Sequence, residues 1–389
     1  VNNAGKAYTF TGSGKLTGDM ELMKKGTGVL TLANTTPNDF TDGTVILEGS
    51  LRRGDGTTAG AGIVPPKIWN EGTLVLNRPD NHDYGYALEG PGILEKAQAN
   101  TVSFPVATSF GIPITLTAGK LRFVAGGSLT GALGGAGELE AAGGTLDIGG
   151  TDPNTNTGLT TVSAGILRLT KAEGTNAVGG NISITGGGVQ AIVPSERIPV
   201  TATISALGTS ADSLAGSTGM ETFANAVVNG PTAATQLILR NNSKVTGTAT
   251  VNQGILGVAS AHTANVEKVV LTSPTALVRV AAGSGASTMN IGSGGITASA
   301  GEVQVKFNTN DQDAFLNLAG DVTTTGNLAF TNANYPGGNQ NIINLSGNRI
   351  FDIGNGTTTT VSPDLSSAAG NLTKAGGGTL TLNAPCAAN

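Results

Sequence analysis

Few residues of this 389-residue chain have types and spacing suited to chemistry. The run Asp80-Asn81-His82-Asp83 places a histidine among carboxylates, an arrangement that general acid–base catalysis or metal binding uses. It lies between two strand-like segments and is rich in turn formers, so we interpret it as a polar turn. The second histidine, His262, has no acidic neighbour, and no two histidines stand at ligand spacing. We therefore expect no metal and no cofactor.

A second pair of carboxylates bears on the question of catalysis. Enzymes that cleave polysaccharides use paired carboxylates, and Asp311 and Asp313 would lie on one face of a strand. Turn-forming Asn and Asp residues surround the pair, which favours a solvated loop. The chain also lacks a Gly-x-Ser-x-Gly nucleophile elbow and a dinucleotide-binding pattern. We expect a protein that is not an enzyme, and keep a polysaccharide-degrading enzyme as the alternative.

The tripeptide Arg53-Gly54-Asp55 is the sequence that many integrin ligands display. Chance supplies such a triplet readily in a glycine-rich chain. We keep Arg53 and Asp55 as candidate binding residues of an adhesin that would bind host cells or glycans.

Bulk composition limits the class of protein. Glycine, with 60 residues, has about twice its usual share, while charged residues make up only 12%. A formal charge of -5 argues against nucleic acid as a partner. No run of 18 apolar residues occurs, so we expect no transmembrane segment. The single cysteine, Cys386, has no partner for an internal disulfide.

An eleven-residue frame occurs three times in the chain. It reads LMKKGTGVLTL at 22–32, LEKAQANTVSF at 94–104 and LTKAGGGTLTL at 372–382, with a lysine in the same slot of each copy. The residues that we assign to this frame and its continuation are Leu22, Lys24, Gly26, Gly28, Leu30, Leu32, Gly49, Leu51, Lys96, Lys374, Gly376, Gly378, Leu380 and Leu382.

A shorter pattern, glycine followed by two alternating apolar residues, recurs more often. It begins at Gly72, Gly119, Gly144, Gly165, Gly254 and Gly301. Alternation with period two predicts strands with one buried face, and glycine allows the positive φ that a sharp corner needs. Strands and corners repeated in this way predict stacked coils of roughly 20–25 residues, a β-solenoid. An all-β sandwich is the alternative fold.

The frame and its continuation resemble the autotransporter-associated β-strand repeat, also called the passenger-associated transport repeat. The copy at 22–51 matches in both halves, with Phe40, Gly43, Thr44 and Ile46 in the downstream positions. The resemblance implies a right-handed parallel β-helix, elongated and all-β, as a single passenger-like domain over residues 1–389. The strongest repeat copies lie within 12–51, 90–104 and 370–382.

The same resemblance implies an extracellular structural protein of the bacterial cell surface, displayed on the outer membrane or secreted. We expect a stalk or fibre subunit. Because the end coils of a solenoid expose unpaired strand edges, we consider head-to-tail self-association into a homo-oligomer or filament. A host-surface or glycan ligand is the further partner that we consider.

Overall fold

The computed structural model describes residues 1–191, 196–209, 211–213, 220–307, 312–332, 341–383 and 386–388. The chain forms two compact units, Val1–Asn181 and Ile182–Asn389. Every regular element in the described ranges is a β-strand. Across those ranges, no helix has the length and apolar character needed to cross a membrane. The prediction of one domain over residues 1–389 stays a prediction.

The first unit contains eighteen short strands. They are β1 Tyr8–Gly12, β2 Leu22–Lys24, β3 Val29–Asn34, β4 Thr44–Ile46, β5 Ser50–Arg53, β6 Lys67–Asn70, β7 Thr73–Leu76, β8 His82–Asp83, β9 Ala87–Glu89, β10 Ile93–Lys96, β11 Thr101–Phe104, β12 Thr108–Phe110, β13 Ile114–Leu116, β14 Lys120–Phe123, β15 Gly127–Leu129, β16 Leu133–Gly135, β17 Glu138–Ile148 and β18 Thr160–Leu169.

The described part of the second unit contains the remaining strands. They are β19 Ile182–Ile184, β20 Gly188–Ala191, β21 Thr203–Ala206, β22 Ala211–Ser213, β23 Thr222–Phe223, β24 Asn225–Asn229, β25 Gln236–Leu239, β26 Ser243–Val258, β27 Thr263–Leu271, β28 Ala276–Ala282, β29 Ser287–Ala298, β30 Gly301–Phe307, β31 Ala314–Leu318, β32 Val322–Thr324, β33 Leu328–Thr331, β34 Asn341–Leu345, β35 Arg349–Ile353, β36 Thr358–Val361, β37 Asp364–Ser367, β38 Leu372–Ala375, β39 Thr379–Leu382 and β40 Cys386–Ala388.

Strands of the first unit pair in parallel with the strand one coil later. In one sheet the order is β1-β3-β5-β7-β10-β13-β16, with each strand hydrogen-bonded to the next. Residues in register across this sheet form a buried apolar column, one member for each coil: Leu30, Leu51, Leu74, Leu94, Ile114 and Leu133. The predicted coil of stacked strands is confirmed, and the fold is a parallel β-solenoid and not a sandwich.

The second unit repeats this arrangement with longer coils. Its parallel strands align a second buried column, again with one member for each coil: Val245, Val266, Ile291, Leu318 and Leu345. Alternate residues of each strand point outward, so the outer faces carry the side chains that a partner would meet.

The glycine corners have two physical causes. At Gly49 the chain has φ of +65°, and a Cβ atom would stand 2.4 Å from the carbonyl oxygen of Gly28 in the preceding coil. The sequence predicts positive φ at the corner glycines. At Gly72 this prediction is wrong, because its φ is not positive. A Cβ atom there would still lie 2.5 Å from the carbonyl oxygen of Gly49. Glycine is needed at this position because consecutive coils approach so closely.

The three copies of the frame each form a strand, a corner and a second strand. They correspond to β2 with β3, β10 with β11, and β38 with β39. In the first copy the leucines are buried, as predicted for the coil interior. In the last copy Leu380 is half-buried and Leu382 is exposed, because no described coil covers β39 beyond its pairing with β36.

Candidate functional sites

In two of the three copies of the repeat frame the lysine is buried and joins coils. Lys24 at the end of β2 has no solvent exposure. Its Nζ donates to the carbonyl oxygens of Lys25 at 2.9 Å and Gly26 at 2.5 Å, and to that of Glu48 at 3.1 Å. Because Glu48 belongs to the following coil, one ammonium group links two coils.

Lys96 makes the equivalent contacts in a changed corner. The residues that replace the frame's two glycines, Gln98 and Asn100, both supply acceptors: the carbonyl oxygen of Gln98 and the Asn100 Oδ1 at 2.5 Å. The following coil contributes the carbonyl oxygen of Ala118 at 3.3 Å. Burial without a carboxylate partner lowers the pKa of Lys96 to about 8.

Two further lysines show which part of this arrangement depends on stacking. Lys374 is exposed, and its Nζ bonds the carbonyl oxygen of Gly376 at 2.5 Å. Lys171, which the sequence did not single out, is 1% exposed and donates to the carbonyl oxygens of Gly149 at 2.6 Å and Asp152 at 2.7 Å. Burial of a lysine therefore follows from the coils around it and not from the frame alone.

Arg53 and Asp55 do not form a displayed pair. Arg53 is 1% exposed; its Nε donates to the carbonyl oxygen of Gly62 at 3.2 Å and its guanidinium lies 4.3 Å from the Tyr86 ring centroid. The Tyr86 hydroxyl accepts a further hydrogen bond from Arg53 at 3.0 Å. This interior location argues against contact of the guanidinium with an outside receptor.

Asp55 holds its own turn together. Its Oδ1 accepts from the backbone N–H groups of Thr57 at 2.8 Å and Thr58 at 2.7 Å. These hydrogen bonds to the charged form lower the pKa of Asp55 to about 2. The carboxylate therefore closes the exposed loop that follows β5, while Arg53 points into the coil.

The interpretation of Asp80–Asp83 as a polar turn is wrong for its second half: Asp80 lies in a bend, but His82 and Asp83 form β8, which pairs in parallel with β11. The histidine does not bond the Asp80 carboxylate. The side-chain hydrogen bond from Arg78 is the main reason that the pKa of Asp80 falls to about 2. His82 Nδ1 lies 3.0 Å from the backbone carbonyl oxygen of Asp80, and burial lowers the pKa of the imidazole. Asp83 is exposed. Because both pKa values are lowered, Asp80 is ionised and His82 is neutral at neutral pH. Their contacts are those of structural residues.

Of the other candidate groups, Asp311 lies outside the described residues. Asp313 is half-buried, and its backbone carbonyl accepts from the Ser287 N–H at 3.1 Å. Cys386 lies in β40. Within the described ranges, no three His, Cys, Asp or Glu side chains are grouped so as to hold a metal ion.

The outer face of the second unit carries a basic depression that sequence reasoning missed. We define it by Arg240, His262, Arg279 and Lys306 around a floor that includes Gly257, Ala259 and Ala281. It has a volume of about 590 Å³. These basic residues are far apart in the sequence, so no local run of charges indicates the depression. Coil length varies along the chain, so a search at one fixed spacing would not have found them either.

Comparison of the chain with protein-family models, with curated proteins and with solved structures gives no match.

Proposed function

We propose that this protein is an extracellular structural β-solenoid, a stalk or fibre subunit of the kind that autotransporter passengers form. The observation that carries the proposal is the Lys24 contact: the ionisable residue of the repeat frame links consecutive coils through the Glu48 carbonyl. A frame whose charged residue holds coils together encodes stacking, and stacking is what a spacer requires. The parallel β-solenoid fold and the resemblance of the frame to passenger repeats support the same reading.

Surface location is the part of this proposal that is tested first. Cells that express the chain from its native gene are labelled with antibody and treated with protease before and after permeabilisation. We expect labelling and cleavage on intact cells. Labelling that appears only after permeabilisation contradicts the proposal.

Self-association is a further part of the proposal, because a solenoid strand without a neighbouring coil exposes backbone groups with which a second copy can pair. Electron microscopy of the purified chain over a range of concentrations distinguishes filaments from monodisperse particles, and the latter at high concentration rule out self-association of this chain.

A further inference from the structure

The basic depression owes its shape to small residues on the outer face of one sheet. In register across β25, β26, β28 and β30, Ile238 lies opposite Gly257, Gly257 opposite Arg279, and Arg279 opposite Gln304. Gly257, Ala259 and Ala281 project little or no side chain from this face. The longer side chains of Arg240, Arg279 and Lys306 stand around them, so the surface is hollow at its centre and positively charged at its rim.

The cations of the rim repel one another. Burial lowers the pKa of both Arg279 and Lys306, and the charge of Arg279 lowers that of Lys306 further. His262 likewise has a pKa lowered by burial and by the neighbouring Arg240. Glu302 is the carboxylate that opposes these effects at Arg279 and Lys306. This carboxylate does not balance Arg240, Arg279 and Lys306, so the depression is positive in a chain of net charge -5.

The two arginines of the rim differ in the hydrogen bonds of their guanidinium groups. Arg279 Nε donates to Gln304 Oε1 at 3.0 Å, which fixes the direction of that guanidinium. Arg240 Nε is buried with no hydrogen-bond acceptor among the described residues. A buried donor without a partner is unfavourable by about 1–3 kcal/mol in general, and an anionic oxygen beside it would remove that penalty.

A strained turn forms one side of the depression. Ala261 has φ of +64°, a left-handed conformation that residues with a Cβ atom avoid. The turn is closed by the hydrogen bond from His262 N–H to the Ala259 carbonyl at 3.2 Å. The hydroxyl of the buried Ser287 accepts from Ala261 N–H at 3.2 Å and donates to the Ala281 carbonyl at 3.0 Å. Ordered strain of this kind clusters at binding sites.

We propose that the basic depression binds an acidic saccharide, a sugar segment that carries carboxylate or sulfate groups. Arg240, Arg279 and Lys306 would contact the anionic groups, since charge-assisted hydrogen bonds to such oxygens are the strong ones. The hydroxyls of Ser260 and Ser284, 3.3 Å apart, and the amide of Gln236 suit the neutral hydroxyls of a sugar.

The lining favours a saccharide over nucleic acid. None of the described residues that line the depression is Phe, Tyr or Trp, so the imidazole of His262 is the one ring that this lining offers to a nucleic-acid base. Its volume lies within the range of small-ligand sites and exceeds the need of a single inorganic anion. The inference concerns chemistry at one face of the second unit and holds whether or not the chain is a surface stalk.

Isothermal titration calorimetry of the whole chain tests the binding. The probes are a chondroitin sulfate hexasaccharide, a hexagalacturonate, neutral maltohexaose, inorganic sulfate and a short single-stranded oligonucleotide. We expect at least one acidic hexasaccharide to bind, with affinity that falls as salt is raised, and maltohexaose not to bind. Absence of binding by both acidic hexasaccharides overturns the proposal, as does tighter binding of the oligonucleotide or of sulfate alone.

Variants place the binding at the depression. The double variant R279Q/K306Q is expected to weaken binding by roughly 10- to 100-fold. The matched control R52Q/K67Q removes the same two residue types from exposed positions of the first unit and is expected to bind as the unchanged chain does. Equal affinities of the two double variants contradict the assignment.

Ala281→Glu separates binding from folding. Its carboxylate would stand among the rim cations, so the variant is expected to fold with undiminished thermal stability while binding is lost. Circular dichroism reports folding of each variant. A folded A281E protein that keeps full affinity shows that the ligand lies elsewhere.

Discussion

The ammonium of Lys24 lies 3.1 Å from the main-chain carbonyl oxygen of Glu48, 24 residues further along the chain. This contact makes the coil of Glu48 an acceptor for the lysine of the coil before it, as the coil of Ala118 is for Lys96. A buried charge is tolerated here because three carbonyl oxygens surround it. The corner is therefore a place where coils are joined by polar contacts as well as by apolar packing.

Removal of that ammonium is expected to open the corner. Lys24→Met leaves three carbonyl acceptors without their donor, and we expect a loss of about 2 kcal/mol in local opening free energy. Hydrogen exchange of the amides at residues 25–28 measures it. Lys374→Met is the control from the same frame slot: its side chain is exposed, so exchange at residues 375–378 should change by less than about 0.5 kcal/mol. Equal effects at the two sites would show that the contact to the following coil contributes nothing.

Lys96 predicts a pH dependence in the alkaline range. Its pKa is lowered to about 8 in the folded state, whereas an unfolded lysine titrates near 10.4. Between these values the unfolded state binds more protons, so the free energy of unfolding rises with pH. The slope is at most about 1.4 kcal/mol per pH unit. Urea unfolding of the unchanged chain and of Lys96→Met from pH 7 to 11 measures it, and parallel pH profiles would contradict the assignment.

The glycine corners predict a difference between two substitutions at similar φ. Gly49 has φ of +65° and Gly60 has φ of +71°. An added Cβ at Gly49 would meet carbonyl oxygens of Gly28 and Gly26 at 2.4 and 2.5 Å, whereas nothing lies within 4 Å at Gly60. Gly60→Ala is expected to destabilise by about 1 kcal/mol through φ alone. Gly49→Ala adds a steric clash and is expected to exceed about 3 kcal/mol. Thermal unfolding of both variants measures this, and similar losses would refute close approach as the cause.

The sequence predicted the fold from local patterns that the fold preserves. Alternation in segments such as Lys120–Phe123 places every second residue inward, and the glycine before this segment, Gly119, marks the corner. These features depend on neighbours in sequence, so they are readable without coordinates. The location of Arg53 inside the coil was not readable, because it depends on Gly62 and Tyr86, which fold over it from 9 and 33 residues away.

The basic depression was unpredictable for a related reason. Coil length varies along the chain, so a fixed period does not reveal which outer side chains become neighbours. Arg279 and Lys306 belong to consecutive coils, and they meet because β28 and β30 pair with Ala281 opposite Lys306. Gly257 and Ala259 have no charged or polar side chain, so nothing in the sequence marks them as part of a site. They form the floor of the depression because the strand register places them between the longer side chains.

A buried carboxyl in the second unit predicts a pH dependence of opposite sign to that of Lys96. Glu221 is 1% exposed, and its Oε2 accepts from the backbone N–H groups of Arg197 at 2.8 Å and Ile198 at 3.0 Å. Burial, with a contribution from the charge of Glu196, raises the pKa of Glu221 to about 7. An unfolded glutamate titrates near 4.3, so between about pH 4.3 and 7 the folded state binds more protons and stability falls as pH rises.

Glu221→Gln removes this titration while the amide oxygen keeps the two backbone hydrogen bonds. We expect the variant to lose the decline in stability over that window, so that its unfolding free energy exceeds that of the unchanged chain at pH 7.5 relative to pH 4. Urea unfolding across this range measures the difference, and Glu173→Gln, a substitution of an exposed glutamate in the first unit, is the control. If Glu221→Gln and Glu173→Gln show the same pH profile, Glu221 is ionised throughout. The two backbone N–H groups would then outweigh the effect of burial.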